Sequence, residues 1–223
     1  EKNNFIFADV SDSATVKAAV EQVISASGKI DLLVTSAGMG VSGAVEFIDE
    51  EEMKRQFDVN LFGTINTVKA VLPQMRKQKE GKIICISSVA AVYSIPFQAY
   101  YSASKAAVNS FVDALTNEVK SFGIEVASVM PGDISTGFTA ARSKTNAGDD
   151  VYSGVIGSAV SAMEKDEKNG MTPDSVAKLV VKLAEKKHVS PLYTAGLQYK
   201  TLVFLSRFFP HKLAVKIVGG MYK

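Results

Sequence analysis

The sequence predicts a single α/β domain with a mostly parallel, doubly wound sheet that carries helices on both faces. Stretches rich in branched apolar residues alternate along the chain with stretches whose apolar residues recur at helical spacing. The connections between these stretches are short, which places consecutive elements side by side. The 223 residues suffice for one domain with a sizeable core, whereas two domains would be a tight fit.

The first half of the chain alternates strands and helices. In order, the pattern predicts a strand at 4–8, a helix at 13–27, a strand at 30–35 and a long helix at 49–79. The cluster Ser11-Asp12-Ser13 is typical of a helix N-cap, and Gly28 ends the first helix. We expect Pro73 to kink the long helix, because proline removes a backbone donor.

The second half continues the alternation and then loosens. The predicted elements are a strand at 82–87, helix 100–122, strand 124–130, helix 151–165, helix 172–187 and strand 191–194. Thr172 and Pro173 are typical of the N-cap and first position of a helix. Residues 134–172 are more polar and irregular, and the tail 197–223 is amphipathic and aromatic.

Composition excludes several kinds of protein. The formal net charge is only +2, so no field of one sign indicates a nucleic-acid partner. Cys85 is the single cysteine, which excludes an internal disulfide framework and fits a reducing, cytoplasmic compartment. The two histidines and this cysteine are scattered, so we predict no metal site. No stretch reaches the roughly 18 apolar residues that a membrane span needs.

The chemistry that the sequence offers centres on Tyr101 and Lys105, at the start of helix 100–122. Residues four apart share one helix face, so the phenol and the ammonium can point at one spot. A cation about 4 Å from a phenol lowers its pKa of about 10 by roughly three units, which suits proton transfer near neutral pH. Tyr100 has Ser104 as its fourth neighbour and lacks such a partner. Alone, the pair equally fits a solvated lysine beside a half-buried tyrosine.

Two polar residues upstream add to this pair. Ser88 follows the third predicted strand, and ligands bind at the carboxyl ends of strands in open α/β sheets. Its hydroxyl can hydrogen-bond a carbonyl oxygen together with Tyr101. Asn60 lies inside the long helix, where asparagine is an indifferent helix former, or its side chain bonds the backbone of a kinked helix. Ser87 is predicted to be structural, because adjacent residues alternate in direction.

These residues resemble the short-chain dehydrogenase/reductase family. The matching set is Asp9, Ala37-Gly38, Asn60, Ser87-Ser88, Tyr101 with Lys105 four residues later, and Pro131-Gly132. The family's order and spacing are kept from residue 4 to about residue 136. The resemblance implies a Rossmann-like fold and an enzyme that transfers a hydride between NAD or NADP and a carbonyl or alcohol.

The resemblance also implies four catalytic roles. Tyr101 would be the general acid in reduction and the general base in oxidation. Lys105 would lower the pKa of Tyr101 and bind the nicotinamide ribose. Ser88 would hold the substrate oxygen, and Asn60 would position a water molecule that links Lys105 to solvent.

A further set of residues is implied to bind the cofactor. Asp9 would contact the adenine with Val10 beside it, or its carboxylate caps the following helix. The turn Pro131-Gly132-Asp133-Ile134 and Thr136 would close over the nicotinamide. The complete implied set is Asp9, Val10, Ala37, Gly38, Tyr101, Lys105, Pro131, Gly132, Ile134 and Thr136. The family's determinants of NAD against NADP precede its third strand, so that choice is not readable from this sequence.

The sequence departs from the family's pattern in two places. Thr35-Ser36 stands where the family usually has two asparagines, which we expect to alter local hydrogen bonds without abolishing binding. No glycine-rich turn seats a pyrophosphate on a helix N-terminus, and the spacing of Gly38, Gly40 and Gly43 fits such a motif only superficially. By analogy we expect the chain to start at the family's third strand and to lack the first βαβ portion, which would expose an unpaired edge at strand 30–35.

The sequence gives less information about the substrate and the partners. Residues 134–172 occupy the family's variable substrate region, and their apolar side chains predict a hydrophobic substrate or, equally, ordinary core packing. The tail 197–223 mixes aromatic residues with cations, which fits a substrate lid, a subunit contact or a peripheral membrane contact. Family members commonly associate through the two helices predicted at 49–79 and 100–122, so we expect a homo-oligomer, a dimer or a tetramer.

Three functions therefore compete. The set Asn60, Ser88, Tyr101 and Lys105 favours an NAD(P)-dependent oxidoreductase acting on a small carbonyl or alcohol. The missing glycine-rich turn favours a non-catalytic binding or regulatory protein of the same fold, provided that the gene itself begins at Glu1. A sugar-nucleotide epimerase uses a similar tyrosine and lysine, but such chains usually carry a larger C-terminal substrate region. The first function is the one that the sequence predicts.

Overall fold

The computed structural model describes residues 5–206, 208 and 210–222, and it has the doubly wound α/β fold that the sequence predicts. The central sheet has four parallel strands, which in spatial order are β1 (Leu32–Thr35), β3 (Gly81–Ile86), β4 (Ile124–Pro131) and β6 (Leu192–Ala195). Parallel neighbours need crossover connections, and at least one helix joins each strand of this sheet to the next along the chain.

The two faces of the sheet pack on different helices. These are α1 (Ser13–Ser27), α3 (Gly63–Gln78) and α4 (Ala99–Val119) on one face, and α7 (Pro173–Glu185) on the other. Ile83 and Cys85 of β3 point into the first layer, whereas Ile84 points toward α7, since neighbouring strand residues face opposite ways. Strands that are buried on both faces must be apolar almost throughout, which is why the sequence reveals β3 and β4 so clearly.

The helix ends follow the capping residues of the sequence. The side chain of Asp12 accepts a hydrogen bond from the backbone N–H of Ala14 at 2.8 Å and caps α1. Gly28 ends α1 in the left-handed conformation, and its N–H donates to the carbonyl of Ile24 at 2.8 Å. The predicted start and end of this helix are thereby confirmed.

The long helix predicted at 49–79 is not continuous. It consists of α2 (Glu50–Phe57), a π-helical turn at Asp58–Phe62, and α3, which contains Pro73. The interruption at the π turn corrects the prediction of one uninterrupted helix, whereas α3 runs through Pro73 and a kink there stays a prediction. A π turn holds one extra residue, and such turns occur often at functional sites. Here it carries Asn60.

The strand predicted at 4–8 does not form in the described part of that segment. Residues 5–9 have no regular structure, and Phe5 and Phe7 are 94% and 97% exposed. A strand needs a neighbour to take up its backbone hydrogen bonds, and no described segment pairs with these residues. Asn4 lies outside the described residues. β1 lies at the edge of the sheet, where Leu32 and Val34 are 39% and 38% exposed.

The second half adds short elements around the carboxyl end of the sheet. They are a parallel two-residue ribbon of β2 (Val41–Ser42) and β5 (Ser143–Lys144), and the helices α5 (Phe138–Ala141), α6 (Val155–Lys168), α8 (Leu197–Leu205) and α9 (His211–Met221). Helix α6 starts four residues later than predicted, because Ser153 and Gly154 take left-handed conformations. Among the described residues, no helix combines the length and apolar character that a membrane crossing requires.

Candidate active site

A cavity of about 1370 Å³ opens where β3 and β4 end, the edge at which open parallel sheets bind ligands. It is larger than the 300–1000 Å³ of typical ligand pockets, so a dinucleotide end and a substrate have room together. Eight residues singled out by the sequence line it: Gly38, Ser88, Tyr101, Lys105, Pro131, Gly132, Ile134 and Thr136. Asn60, Asp9, Val10 and Ala37 do not belong to its lining.

Tyr101 stands in the first turn of α4, with its ring 5.7 Å from that of Phe138. Burial raises the pKa of the phenol above its ordinary value, and a hydrogen bond with the side chain of Ser88 opposes that shift. The amine of Lys105 lies 5.9 Å from the ring centroid. The lowering of the pKa of Tyr101 by Lys105 stays a prediction, because burial is the largest influence on this phenol and the charges that act on it are those of Glu167, Arg142 and Asp133.

Ser87 and Ser88 have different roles, because the side chains of adjacent residues point to opposite sides. Ser88 caps a short 3₁₀ turn, where its hydroxyl oxygen accepts a hydrogen bond from the N–H of Ala90 at 3.1 Å, and its side chain faces the cavity. Ser87 is buried, and its hydroxyl donates to the backbone carbonyl of Lys105 at 3.0 Å. Ser87 thus joins the end of β3 to α4, while Ser88 remains beside Tyr101.

Lys105 is a buried cation with few interactions that offset the hydration its ammonium group loses. It is 5% exposed, and its amine donates a hydrogen bond to the carbonyl of Ile86 at 3.0 Å. Burial lowers the pKa of this amine to about 8. A side-chain Cβ at Gly38 would lie 3.5 Å from this amine and from Oδ1 of Asn60. Glycine at position 38 therefore leaves the space in front of both groups open.

The side chain of Asn60 links three segments of the chain by hydrogen bonds. Its Oδ1 accepts a hydrogen bond from the N–H of Met39 at 2.8 Å, and its Nδ2 donates to the carbonyl of Met39 at 3.0 Å. The same amide group donates to the hydroxyl of Ser104 at 3.1 Å. These bonds fix the loop after β1 against the π turn and against α4. Asn60 therefore positions the surroundings of Lys105 and does not face the cavity directly.

Three residues of the implied cofactor set lie apart from the cavity. The carboxylate of Asp9 accepts hydrogen bonds from the N–H and the hydroxyl of Ser11 at 2.9 and 2.7 Å, and these bonds lower its pKa. Val10 packs on Gly63, and its carbonyl accepts a hydrogen bond from Asn66 at 3.0 Å. Ala37 lies next to Gly38 but outside the lining. Contact of these residues with a cofactor stays a prediction.

A buried ion pair beside the site was not predicted from the sequence. Arg142 is 4% exposed, and its Nη2 donates to Oε1 of Glu167, whose other oxygen accepts from the hydroxyl of Thr139 at 2.6 Å. The guanidinium lies 5.5 Å from the ring of Phe138, the neighbour of Tyr101. The charge of Glu167 raises the pKa of Tyr101 and that of Arg142 lowers it. No local pattern marks this pair, because 25 residues separate its members.

A second contact missed by the sequence closes the cavity from the side of α8. The hydroxyl of Tyr199 donates to Oδ2 of Asp133, and a Cβ at Gly132 would lie 2.2 Å from the ring of Tyr199. Only glycine allows this packing. The hydroxyl of Tyr93 also donates to the carbonyl of Leu202 at 2.6 Å. Helix α8 is thereby held over the turn that follows β4.

Two further features concern the single thiol of the chain and the residues that could bind a metal ion. Cys85 is fully buried in β3, and burial raises the pKa of its thiol to about 11, so it is a core residue without access to ligands. Within residues 5–206, 208 and 210–222, no group of three or more histidine, cysteine or acidic side chains could hold a metal ion.

The comparison with known families decides the class of the protein. A family model described as short chain dehydrogenase matches residues 1–147. The chain belongs to the short-chain dehydrogenase family. Its fold is the NAD(P)-binding Rossmann fold, and it is an oxidoreductase that acts on CH–OH groups with NAD or NADP.

Individual relatives agree with this class. The 3-ketodihydrosphingosine reductase of Bacteroides thetaiotaomicron is 43% identical over 189 residues, which cover 84% of this chain and 70% of the relative. The dehydrogenase/reductase SDR family member 7B of Xenopus laevis is 32% identical over 209 residues, covering 94% of this chain and 61% of the relative. The chain thus spans between about three fifths and seven tenths of the length of these relatives.

Among solved structures, a short-chain dehydrogenase/reductase from Burkholderia phymatum in complex with NAD superposes with a TM-score of 0.77 at 25% identity. The alignment covers 89% of this chain and 72% of that structure.

Proposed function

We propose that the chain reduces the carbonyl group of a hydrophobic, long-chain substrate with NAD(P)H, using Ser88, Tyr101 and Lys105. The observation that carries the proposal is their convergence on one cavity whose wall is mostly apolar. The far part of that wall is formed by side chains of α8 and α9, namely Leu202, Ile217, Val218 and Met221. A long alkyl chain that entered there would place its polar end at Tyr101.

The residues around Lys105 fit a nicotinamide cofactor. The amine of Lys105 has one hydrogen-bond partner in the described structure, the carbonyl of Ile86, so two of its three N–H donors remain for ribose hydroxyls. Gly38 leaves room beside them, and Pro131 and Gly132 form the opposite wall. When bound, the nicotinamide supplies or accepts the hydride.

The chain's own residues supply the proton and the orientation. Ser88 and Tyr101 each offer a hydroxyl to the carbonyl oxygen, which fixes the carbonyl and polarises it. As the carbonyl carbon gains a hydride, the oxygen takes the phenolic proton of Tyr101. The raised pKa of Tyr101 keeps that proton in place at neutral pH. Lys105, with a pKa of about 8, can gain and lose a proton close to neutral pH and so can help restore the phenol.

The substrate class follows from the relative of highest identity reported above. 3-Ketodihydrosphingosine, which that relative's name contains, is a long-chain ketone with an amino group next to the carbonyl. Two acidic residues, Asp133 and Asp166, lie in the wall of the cavity and can pair with a protonated amine. We therefore include a long-chain amino ketone as the first substrate to test.

The test is a comparison of two adjacent tyrosines. Tyr101→Phe should lower the turnover of 3-ketodihydrosphingosine with NADPH or NADH by about 10²–10⁴-fold, because it removes the proton donor. Tyr100→Phe is the matched control, since the hydroxyl of Tyr100 bonds the carbonyl of Val45 and faces away from the cavity. Fluorescence titration should give the same cofactor affinity for both variants. Equal turnover in the two variants would reject the mechanism.

A further inference from the structure

Helices α8 and α9 present an apolar surface to solvent. Six of its side chains are each at least 41% exposed: Phe204, Phe208, Leu213, Val215, Ile217 and Met221. The rings of Phe204 and Phe208 pack together, 5.2 Å apart. Helices of a folded chain normally turn such side chains inward, so an exposed cluster of this kind marks a surface that meets another apolar phase.

The charged side chains carried by α8 and α9 themselves are all lysines. After Glu185 the sequence contains no acidic residue, whereas Lys200, Lys212 and Lys216 lie on α8 and α9 and are exposed. The pattern of exposed aromatic and aliphatic side chains among lysines suits the interface of a bilayer with anionic headgroups. A protein partner would need a matching acidic and apolar face, while an anionic bilayer offers both properties at every position.

The surface is continuous with the catalytic cavity. Leu202, Ile217 and Met221 line the cavity and are also between 47% and 62% exposed, so they form the rim of its opening. The opening thus lies within the apolar surface. An alkyl chain passing from that surface to Tyr101 would stay in contact with apolar side chains for most of its path.

We propose that the α8–α9 face docks on an anionic lipid bilayer and that the cavity takes its long-chain ketone directly from the lipid. The second part rests on the proposed function, while the docking does not. α8 and α9 have 9 and 11 residues, so they lie in the interface and do not cross the bilayer. Because the lysines interact with headgroups through charge, docking weakens as the salt concentration rises.

The test measures binding of the whole chain to vesicles by co-sedimentation. Vesicles of phosphatidylcholine with phosphatidylglycerol should bind the chain at least about tenfold more tightly than phosphatidylcholine alone, and added salt should reduce the difference. Lys212→Glu with Lys216→Glu should abolish the preference for anionic vesicles. The matched control, Lys17→Glu with Lys120→Glu, changes the same charge on α1 and just after α4 and should bind like the unmodified chain.

A second double substitution tests the contribution of the exposed apolar side chains to docking. Phe204→Ser with Val215→Ser removes exposed side chains that do not line the cavity, so binding to both kinds of vesicle should fall while the circular dichroism spectrum stays unchanged. Reduction of a short, water-soluble ketone should also be unchanged. Binding of the unmodified chain that is equal for both vesicle compositions, or that survives both sets of substitutions, would overturn the docking proposal.

The outcomes separate docking from catalysis. If the chain binds anionic vesicles and reduces no ketone, the proposed function fails and the docking stands. If it reduces 3-ketodihydrosphingosine in detergent but binds no vesicle, the docking proposal fails and the proposed function stands. A dimer in solution that Phe204→Ser with Val215→Ser converts to a monomer would assign the surface to a second copy of this chain, and this outcome also overturns the docking proposal.

Discussion

Two buried cations lie near Tyr101, and they are stabilised in opposite ways. Lys105 lies beside the phenol ring and bonds a backbone carbonyl, with no carboxylate among its contacts in the described part of the chain, and burial lowers its pKa to about 8. Arg142 lies one aromatic ring further away, beyond Phe138, and is paired with Glu167. The first cation can release its proton near neutral pH, while the second is bound to a carboxylate.

The site thus contains a lysine that exchanges its proton near neutral pH and an ion pair that acts on Tyr101 through its charges. A lysine without a counter-ion is costly to bury, and that cost is what brings its pKa into the range where protons are exchanged. An arginine with a carboxylate contributes little net charge, so Arg142 and Glu167 act on Tyr101 in opposite directions. The four predictions below test this division of roles, starting with the largest expected effect.

Removing only one member of the ion pair should be the most damaging change. Arg142→Met leaves Glu167 largely buried with Thr139 as its only described partner, and the free energy of unfolding should fall by about 3–5 kcal/mol. The double variant Arg142→Met with Glu167→Gln should recover most of the loss, because no buried charge remains. Urea denaturation of the single and double variants measures both values. Equal stability of the two would mean that the pair is not electrostatically coupled.

Lys105→Met should have the opposite effect on stability at neutral pH. The pKa of Lys105 falls from 10.5 to about 8, and at 1.36 kcal/mol per unit its charged form costs roughly 3 kcal/mol. The variant avoids this cost and loses one hydrogen bond to Ile86, worth about 1 kcal/mol, so we expect a net gain of about 2 kcal/mol in urea denaturation at pH 7. Turnover should be lost at the same time. A less stable variant would show that Lys105 is held by favourable interactions.

Raising the pH should reduce this gain in stability. Since the unfolded chain holds the Lys105 proton up to about pH 10.5 and the folded chain only up to about pH 8, the unmodified chain gains stability between these values. The Met variant lacks this contribution, so the difference between the two should shrink steadily from pH 8 to pH 10. Denaturation at several pH values checks the trend. A difference that stays constant would place the pKa of Lys105 outside this window.

The smallest expected change is a shift in the pH profile of turnover in Glu167→Gln, a variant that also loses stability because Arg142 stays buried without its carboxylate. The charge of Glu167 raises the pKa of Tyr101, so Glu167→Gln should lower that pKa and move the alkaline limb of kcat/KM for ketone reduction to lower pH. Glu164→Gln is the matched control, because Glu164 lies on the same helix and pairs with Lys144 outside the site. A shift of the limb in both variants alike would reveal a general charge effect and not a specific one.

The parts of this arrangement that the sequence predicts are those set by local periodicity. The spacing of Tyr101 and Lys105 fixes their shared helix face, and the apolar strand before Ser88 fixes its place at the end of the sheet. Buried parallel strands and capped helices are visible for the same reason, since each depends on a few neighbouring residues. The fold class and the grouping of Ser88, Tyr101 and Lys105 could therefore be inferred before any coordinates.

The remaining features depend on contacts between distant segments. The π turn around Asn60 follows from packing against Met39 and Ser104, which no helical pattern reveals. The segment at 5–8 has a strand-like composition, but composition supplies no partner for its backbone. The direction in which the pKa of Tyr101 shifts depends on the sum of the effects of burial, Ser88, Arg142 and Glu167. The sequence showed only the lysine nearby.

The burial of Cys85 has a practical consequence for spectroscopy. With a pKa of about 11 and no exposed surface, this thiol should not react with maleimides at neutral pH while the chain is folded. Because it is the only cysteine of the 223 residues, a cysteine introduced at an exposed position would be labelled alone, with no need to remove the native one. A fluorophore at position 215 would then report the polarity around α9, and unfolding would be recorded by the delayed labelling of Cys85.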